Sequence, residues 1–227
     1  VTDDIRPTDR PAAVLWDMDG TLVDTEPYWL AAETELVHAW GGHWTMEDGL
    51  ALVGSSLTNS ARVLQSRGVD LEPEEIVQLL TTRVLEQLEE TVPWRPGSRE
   101  MLTAVRESGV PTALVTMSIR RMADRIAASV GFTAFDVVIA GDEVTNGKPD
   151  PEAYLRAAIA LDVEITDCIA IEDSEFGVAA AVASGATTLA LPLHVRLPES
   201  PAYTRWESLE GRSLDELFAL HTRASTR

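Results

Sequence analysis

The segment Asp17-Met18-Asp19-Gly20-Thr21-Leu22 follows the apolar run Ala12 to Trp16 and sets two carboxylates two residues apart where a buried strand breaks into a loop. With Asp17 as the last strand residue and Gly20 letting the backbone bend towards a ligand, both carboxylates are expected to face one pocket. One of them can attack while the other moves protons. A second acidic pair, Glu172-Asp173, follows another apolar run, Cys168 to Ile171. Carboxylates gathered without a cluster of histidine or cysteine suit a hard cation, so Mg²⁺ is the expected metal rather than Zn²⁺ or copper. The positive counterpart is Lys148, the single lysine of the chain, in Gly147-Lys148-Pro149-Asp150-Pro151. Where every other fixed cation is arginine, one lysine before a helix start marks a place for a compact ammonium that binds phosphate and keeps Asp17 ionised.

Five short apolar runs must position these groups: Ala13 to Trp16, Thr112 to Val115, Val137 to Ala140, Cys168 to Ile171 and Thr187 to Leu191. They read as buried parallel strands, with helices between them. Gly97-Ser98 opens a helix closing at Gly109, Ser118 precedes Ile119 to Ser129, Asp150-Pro151 supplies an N-cap and an N-terminal proline, and Ser174 precedes a helix closing at Gly185. The alternation predicts an α/β fold, a doubly wound Rossmann-like parallel sheet. A strand order of 3-2-1-4-5 sets the first and fourth strands side by side at the topological switch point. Asp17 and Asp173 then face each other across one crevice, with Thr116 on the other flank. Residues 28–94 break the alternation. They carry helical periodicity in Leu57, Ala61, Leu64 and in Ile76, Leu80, Val84, Leu88, between proline-bearing borders Thr25-Glu26-Pro27 and Val92 to Gly97. The expected organisation is a core of residues 1–27 and 95–227 with an α-helical cap domain, 28–94, inserted after the first strand.

The chain has 227 residues and a net charge of −19, enough length for such a core and the wrong sign for nucleic acid or an anionic membrane as main partner. Val1 to Arg10 is polar and no apolar run is long enough to span a bilayer, so the expectation is a soluble, cytoplasmic protein without a signal segment. Cys168 is the single cysteine; it excludes an internal disulfide and is expected to pack in the core. Asp24 is expected to brace its loop, Trp29, Trp40 and Trp44 to pack within the insert, and His43, Arg62 and Arg95 to lie on the surface. Glu72, Glu74, Glu75, Glu86, Glu89 and Glu90 read as a solvated helix face. Asp142 and Glu143 fit either an outer layer of the site or a solvated turn.

In order along the chain, the Asp-x-Asp-Gly-Thr-Leu segment, Thr116 ending a strand, Gly147-Lys148-Pro149-Asp150-Pro151-Glu152, and Glu172-Asp173-Ser174 followed by Gly177 resemble the four motifs of the haloacid dehalogenase-like hydrolase superfamily. The likeness spans Ala12 to Leu191 and is nearest to the branch with a small helical cap, which includes phosphoglycolate phosphatases, sugar-phosphate phosphatases and beta-phosphoglucomutase. The resemblance implies a Mg²⁺-dependent phosphatase of a small phosphorylated metabolite, working as a monomer or weak homodimer. Asp17 would attack phosphorus to give an aspartyl-phosphate, while Asp19 would protonate the leaving oxygen and then activate water. Asp17, the Asp19 carbonyl and Asp173 would hold the metal, with Glu172 direct or through water. Thr116, the Met117 N–H and Lys148, with Gly20, would cradle the phosphate. Met117 stands where the family usually has Ser or Asn, which removes one side-chain hydrogen bond. A phosphomutase is disfavoured because Leu57, three residues after Gly54, and Trp29 stand where that branch has a basic residue and a histidine. Asp19 disfavours a dehalogenase, and a cap without lysine disfavours a phosphonatase. A catalytically quiet phosphometabolite-binding protein is the remaining alternative, although the acidic residues, Thr116 and Lys148 all stand.

Overall fold

Strands buried on both faces need apolar side chains at every position, and Ala13-Val14-Leu15-Trp16 meets that condition with all four residues inaccessible. The computed structural model describes residues 10–224. Six strands, Ala13–Trp16 (β1), Thr112–Val115 (β2), Val137–Ile139 (β3), Cys168–Glu172 (β4), Thr187–Ala190 (β5) and Thr204–Arg205 (β6), form one parallel sheet in the order β3-β2-β1-β4-β5-β6. The expected order holds and a two-residue strand extends it. β6 was not legible because Thr204–Arg205 is exposed and carries no apolar run. β3 and β5 each stop one residue short of the expected run, at Ile139 and Ala190.

Alternation along the strands feeds two cores. Val14 and Trp16 face the layer of Ser98–Glu107 (α5), Arg120–Ser129 (α6) and Leu214–Ala224 (α9), with Leu102, Met122 and Leu217 fully buried. Ala13 and Leu15 face Glu152–Ala160 (α7) and Glu175–Ser184 (α8), which meet the sheet through Ala153, Ala157, Ala180 and Ala181. Small residues on that face let the two helices lie close to the strands. Cys168 sits there, buried and unpaired, and burial pushes its thiol up to about 12.

Four helices separate β1 from α5: Glu26–Ala39 (α1), Met46–Leu50 (α2), Leu57–Ser66 (α3) and Pro73–Glu90 (α4). No strand occurs among them. Their own core holds Leu36, Val37, Ala61, Leu64, Ile76, Leu80, Val84 and Leu88, while the glutamates from Glu72 to Glu90 face solvent. The expected border at residue 27 falls inside the first turn of α1, because Pro27 is tolerated there. The two connecting segments pair: Asp24 N donates to Pro93 O at 2.8 Å, and Val23 bridges Trp94. Arg121 and Arg125 of α6 donate to the Gln78 and Leu88 carbonyls of α4 at 2.9 and 3.0 Å. Among the described residues no helix is long and apolar enough to cross a membrane; the polar stretch Val1 to Arg10 lies outside the described residues except for Arg10.

Candidate active site

The carboxyl ends of β1, β2 and β4, with the turn after β3, converge on one pocket between sheet and helices, lined by Asp17, Asp19, Thr116, Lys148 and Asp173 among others. Asp17 continues β1 by donating its N–H to Ile171 O at 3.0 Å. Its Oδ1 accepts from Lys148 Nζ at 2.6 Å. The ammonium also donates to Glu172 Oε1 at 2.6 Å and Val115 O at 3.0 Å, so all three of its donors are used. Tyr154 of α7 donates to the same Glu172 oxygen at 2.6 Å. Lys148 is buried and joined to Pro149 by a cis peptide bond.

Two atoms in this cluster stand out by lacking partners: Asp17 Oδ2 and Asp173 Oδ2 are buried and accept no hydrogen bond. Ligand atoms of Asp17, Glu172 and Asp173 lie within 4.8 Å of one another. Three carboxylates against one ammonium leave a surplus of negative charge. Burial first, then Glu172, pushes Asp17 up to about 7, and burial with Asp17 and Glu172 raises Asp173 well above the carboxylate range. Burial pulls Lys148 down, yet Asp17 and Glu172 outweigh it and raise the ammonium above its ordinary value. Orphaned buried oxygens and surplus charge fit a divalent, oxygen-seeking cation. Gly20 makes room for this arrangement: at φ +83°, a Cβ there would lie 2.0 Å from Asp173 Oδ2.

Asp19 is held by four donors. Its Oδ1 accepts from Thr25 Oγ1 at 2.5 Å and Trp29 Nε1 at 3.3 Å; its Oδ2 accepts from Thr116 Oγ1 at 3.2 Å and Ser118 Oγ at 2.8 Å. Donors therefore come from the border residue Thr25, α1 and the turn after β2. Ser118 was expected only to start a helix and instead reaches back across the sheet edge. Met117 keeps a role through sulfur, accepting from Lys148 N at 3.2 Å.

Several residues take places that local pattern did not predict. Arg95 is buried rather than on the surface, donating to the carbonyls of Gly20 and Leu191. Trp29 both packs and binds Asp19. Asp24 was expected to brace its own loop; its carboxylate instead pairs with His194 Nε2 at 2.6 Å, a pocket-lining residue after β5 that carried no sequence signal. Asp142 and Glu143 belong to an exposed turn, where they accept from Arg120 N and Ala140 N at 2.9 Å. His43 and Arg62 are exposed, as expected. Ser174 caps α8, accepting from Gly177 N at 3.1 Å.

The loop before α3 reaches the core at Gly54, whose φ is +77° and where a Cβ would lie 2.4 Å from Ser174 Oγ. Gly177 packs against the charge cluster itself: a Cβ there would lie 1.9 Å from Glu172 Oε2. Glu172 is pinned by Lys148 and Tyr154 and cannot swing aside freely. Gly177→Ala is therefore expected to cost about 1–3 kcal/mol by overpacking and to lower activity, read by urea unfolding beside a rate assay.

A family model for haloacid dehalogenase-like hydrolases matches residues 11–185. The Thermotoga maritima phosphorylated carbohydrates phosphatase is 33% identical over 178 residues, covering 76% of this chain and 81% of that protein. The Escherichia coli fructose-1-phosphate phosphatase YqaB is 32% identical over 181 residues, covering 78% and 94%. Among solved structures, a single-residue Asp-to-Asn mutant of CbbY from Rhodobacter sphaeroides in complex with xylulose-(1,5)bisphosphate superposes with a TM-score of 0.81 at 27% identity, covering 88% of this chain and 96% of that one. With the sheet, its motif-bearing strand ends and the family match all in agreement, the chain belongs to the haloacid dehalogenase-like hydrolases.

Proposed function

We propose that this enzyme is a Mg²⁺-dependent phosphatase that hydrolyses a small phosphorylated sugar or polyol through an aspartyl-phosphate on Asp17. The observation that carries the reading is Asp17 itself, with one oxygen fixed by Lys148 at 2.6 Å and the other buried without a partner. Relatives named for phosphorylated carbohydrates and for fructose 1-phosphate support the substrate class.

In this reading an Asp17 oxygen forms a bond to phosphorus as the bond from phosphorus to the ester oxygen breaks, and Asp19 gives its proton to the departing oxygen. The same Asp19 carboxylate then takes a proton from water, which attacks phosphorus and releases inorganic phosphate while Asp17 is restored. The hydroxyls of Thr25, Thr116 and Ser118 can turn between donating and accepting, which suits Asp19 in both protonation states. Lys148, Thr116 and the Met117 N–H stabilise charge on the transferred group, with Gly20 letting the backbone approach it. Asp17, Asp173 and the Asp19 carbonyl are the proposed metal ligands, with Glu172 holding Lys148 and completing the acidic set. Mg²⁺ there would supply charge neutralisation for the phosphoryl oxygens. Helices α1–α4 act as the cap, excluding bulk water and selecting the leaving group.

Leu57 and Trp29 both line this pocket. The positions at which mutases carry a basic residue and a histidine therefore hold an apolar group and an indole bound to Asp19, which favours release of phosphate over its return to a sugar. Chelation by EDTA is expected to stop phosphate release and added Mg²⁺ to restore it; undiminished release under chelation would contradict the metal assignment.

A further inference from the structure

Arg95 stands in the connection that leads from α4 back to α5, and only 7% of it is exposed. A guanidinium is costly to bury unless it is bonded. Its Nη1 donates to Gly20 O at 2.5 Å and to Leu191 O at 2.7 Å, so it joins the loop after β1 to the exit of β5. The surrounding backbone closes the same junction. Arg95 N donates to Leu22 O at 2.9 Å, and Ser98 Oγ donates to that carbonyl and to Arg95 O, each at 2.8 Å. Three residues beyond Leu191, His194 pairs with Asp24 of the outgoing connection. Both connections to the cap therefore meet the β1 loop and the β5 exit in one place, and Arg95 is the side chain that bonds both segments.

Gly20 is the residue of that loop that most needs such a partner. The peptide on its N-terminal side is fixed locally, because Gly20 N donates to Val23 O at 2.8 Å. In that planar unit the Asp19 carbonyl points the opposite way. The peptide on its C-terminal side is held by Arg95. Between the two lies a glycine at φ +83°, without a side chain to limit its rotation and with its open side against Asp173. We infer that Arg95 is a positioning residue: by holding the Gly20 carbonyl it locks the glycine beside the Asp19 carbonyl, and so ties the cation site to the return connection of the cap. The inference rests on the phosphatase reading above, in which the Asp19 carbonyl is a metal ligand.

The test is Arg95→Lys, with Mn²⁺ as the probe and its free ion followed by electron paramagnetic resonance in the absence of substrate. Lysine keeps the positive charge, so a change in cation affinity reports position and not electrostatics; its ammonium sits on a shorter stem and lacks the planar head. The variant is expected to bind Mn²⁺ about 10–100-fold more weakly than wild type, the usual cost of losing a group that orients a metal ligand. The Mg²⁺ needed for hydrolysis of p-nitrophenyl phosphate should rise in step. Ser98→Ala removes hydrogen bonds from the same junction but none from Gly20, and should bind Mn²⁺ as tightly as wild type. Unchanged affinity in folded Arg95→Lys would overturn the inference, and so would an equal loss in Ser98→Ala, which would mean general loosening of the junction. Should Arg95→Lys not fold, hydrogen exchange of the wild type decides: Mg²⁺ is expected to slow exchange in the peptide spanning residues 94–98, and no change there would overturn the inference. A wild-type protein that binds no Mn²⁺ would overturn the metal assignment itself, and the role of Arg95 with it.

Discussion

Asp17→Asn is expected to reduce kcat on the order of 10⁴-fold or more while leaving the protein folded. Asparagine keeps the shape of aspartate and can still accept from Lys148 Nζ, but its amide is a poor nucleophile. The fold has little to lose from the change. Burial and Glu172 already push Asp17 up to about 7 in the metal-free protein. Its folded carboxyl therefore holds a proton that the unfolded chain releases. The corresponding stability is fully present below the ordinary value of 3.8 and has been lost once the pH has risen through about 7. Removing the charge removes that loss, so at neutral pH without metal the unfolding midpoint of the variant is expected to match or exceed wild type. Turnover near the wild-type rate in Asp17→Asn would contradict nucleophilic catalysis by this residue.

Lys148→Met should do the opposite to stability. The ammonium is inaccessible and joins Asp17 and Glu172, both with side chains under 10% exposed. Methionine fills similar volume but leaves two buried carboxylates facing each other without a counter-charge, a change that costs about 3–5 kcal/mol when a buried pair is broken from one side. Urea unfolding in the presence of chelator should show this loss, growing as pH rises from 5 towards 8 because protonation relieves the repulsion at the acid end. Activity should fall as well, since Lys148 both orients Asp17 and balances the phosphoryl charge. A variant as stable as wild type at pH 8 would mean that the cluster is not held by its lysine.

The strand ends and their acidic residues were legible because they depend on local pattern: an apolar run, a turn residue and a carboxylate lie within a few positions of each other. Lys148 was legible for a compositional reason, as one lysine among arginines. The helical insert announced itself by its period, and the glutamates of α4 by their spacing on its exposed face. What the sequence hid are contacts that only the closed fold creates. Arg95 finds carbonyls at Gly20 and Leu191, in segments far from it along the chain, so nothing near position 95 marks it as buried. Ser118 looked like a helix cap, yet its hydroxyl reaches Asp19 across the sheet edge. Tyr154 and His194 find their carboxylate partners, Glu172 and Asp24, in other elements. Glu33 reads as one of three glutamates in α1, and only the helix packing turns it inward to Trp44 and the pocket. Motif residues are set by the chemistry of the strand ends, whereas the groups that shape the leaving-group chamber are set by how the cap meets the core.

The most direct test of an aspartyl-phosphate on Asp17 is to mix enzyme, Mg²⁺ and fructose 1-phosphate, quench with acid on the millisecond scale and examine the peptide containing Asp17 by mass spectrometry. The account predicts a transient gain of one phosphoryl group on that aspartate, absent in Asp17→Asn. Rapid phosphate release with no phosphorylated peptide at any time, or with the label on another residue, would contradict it.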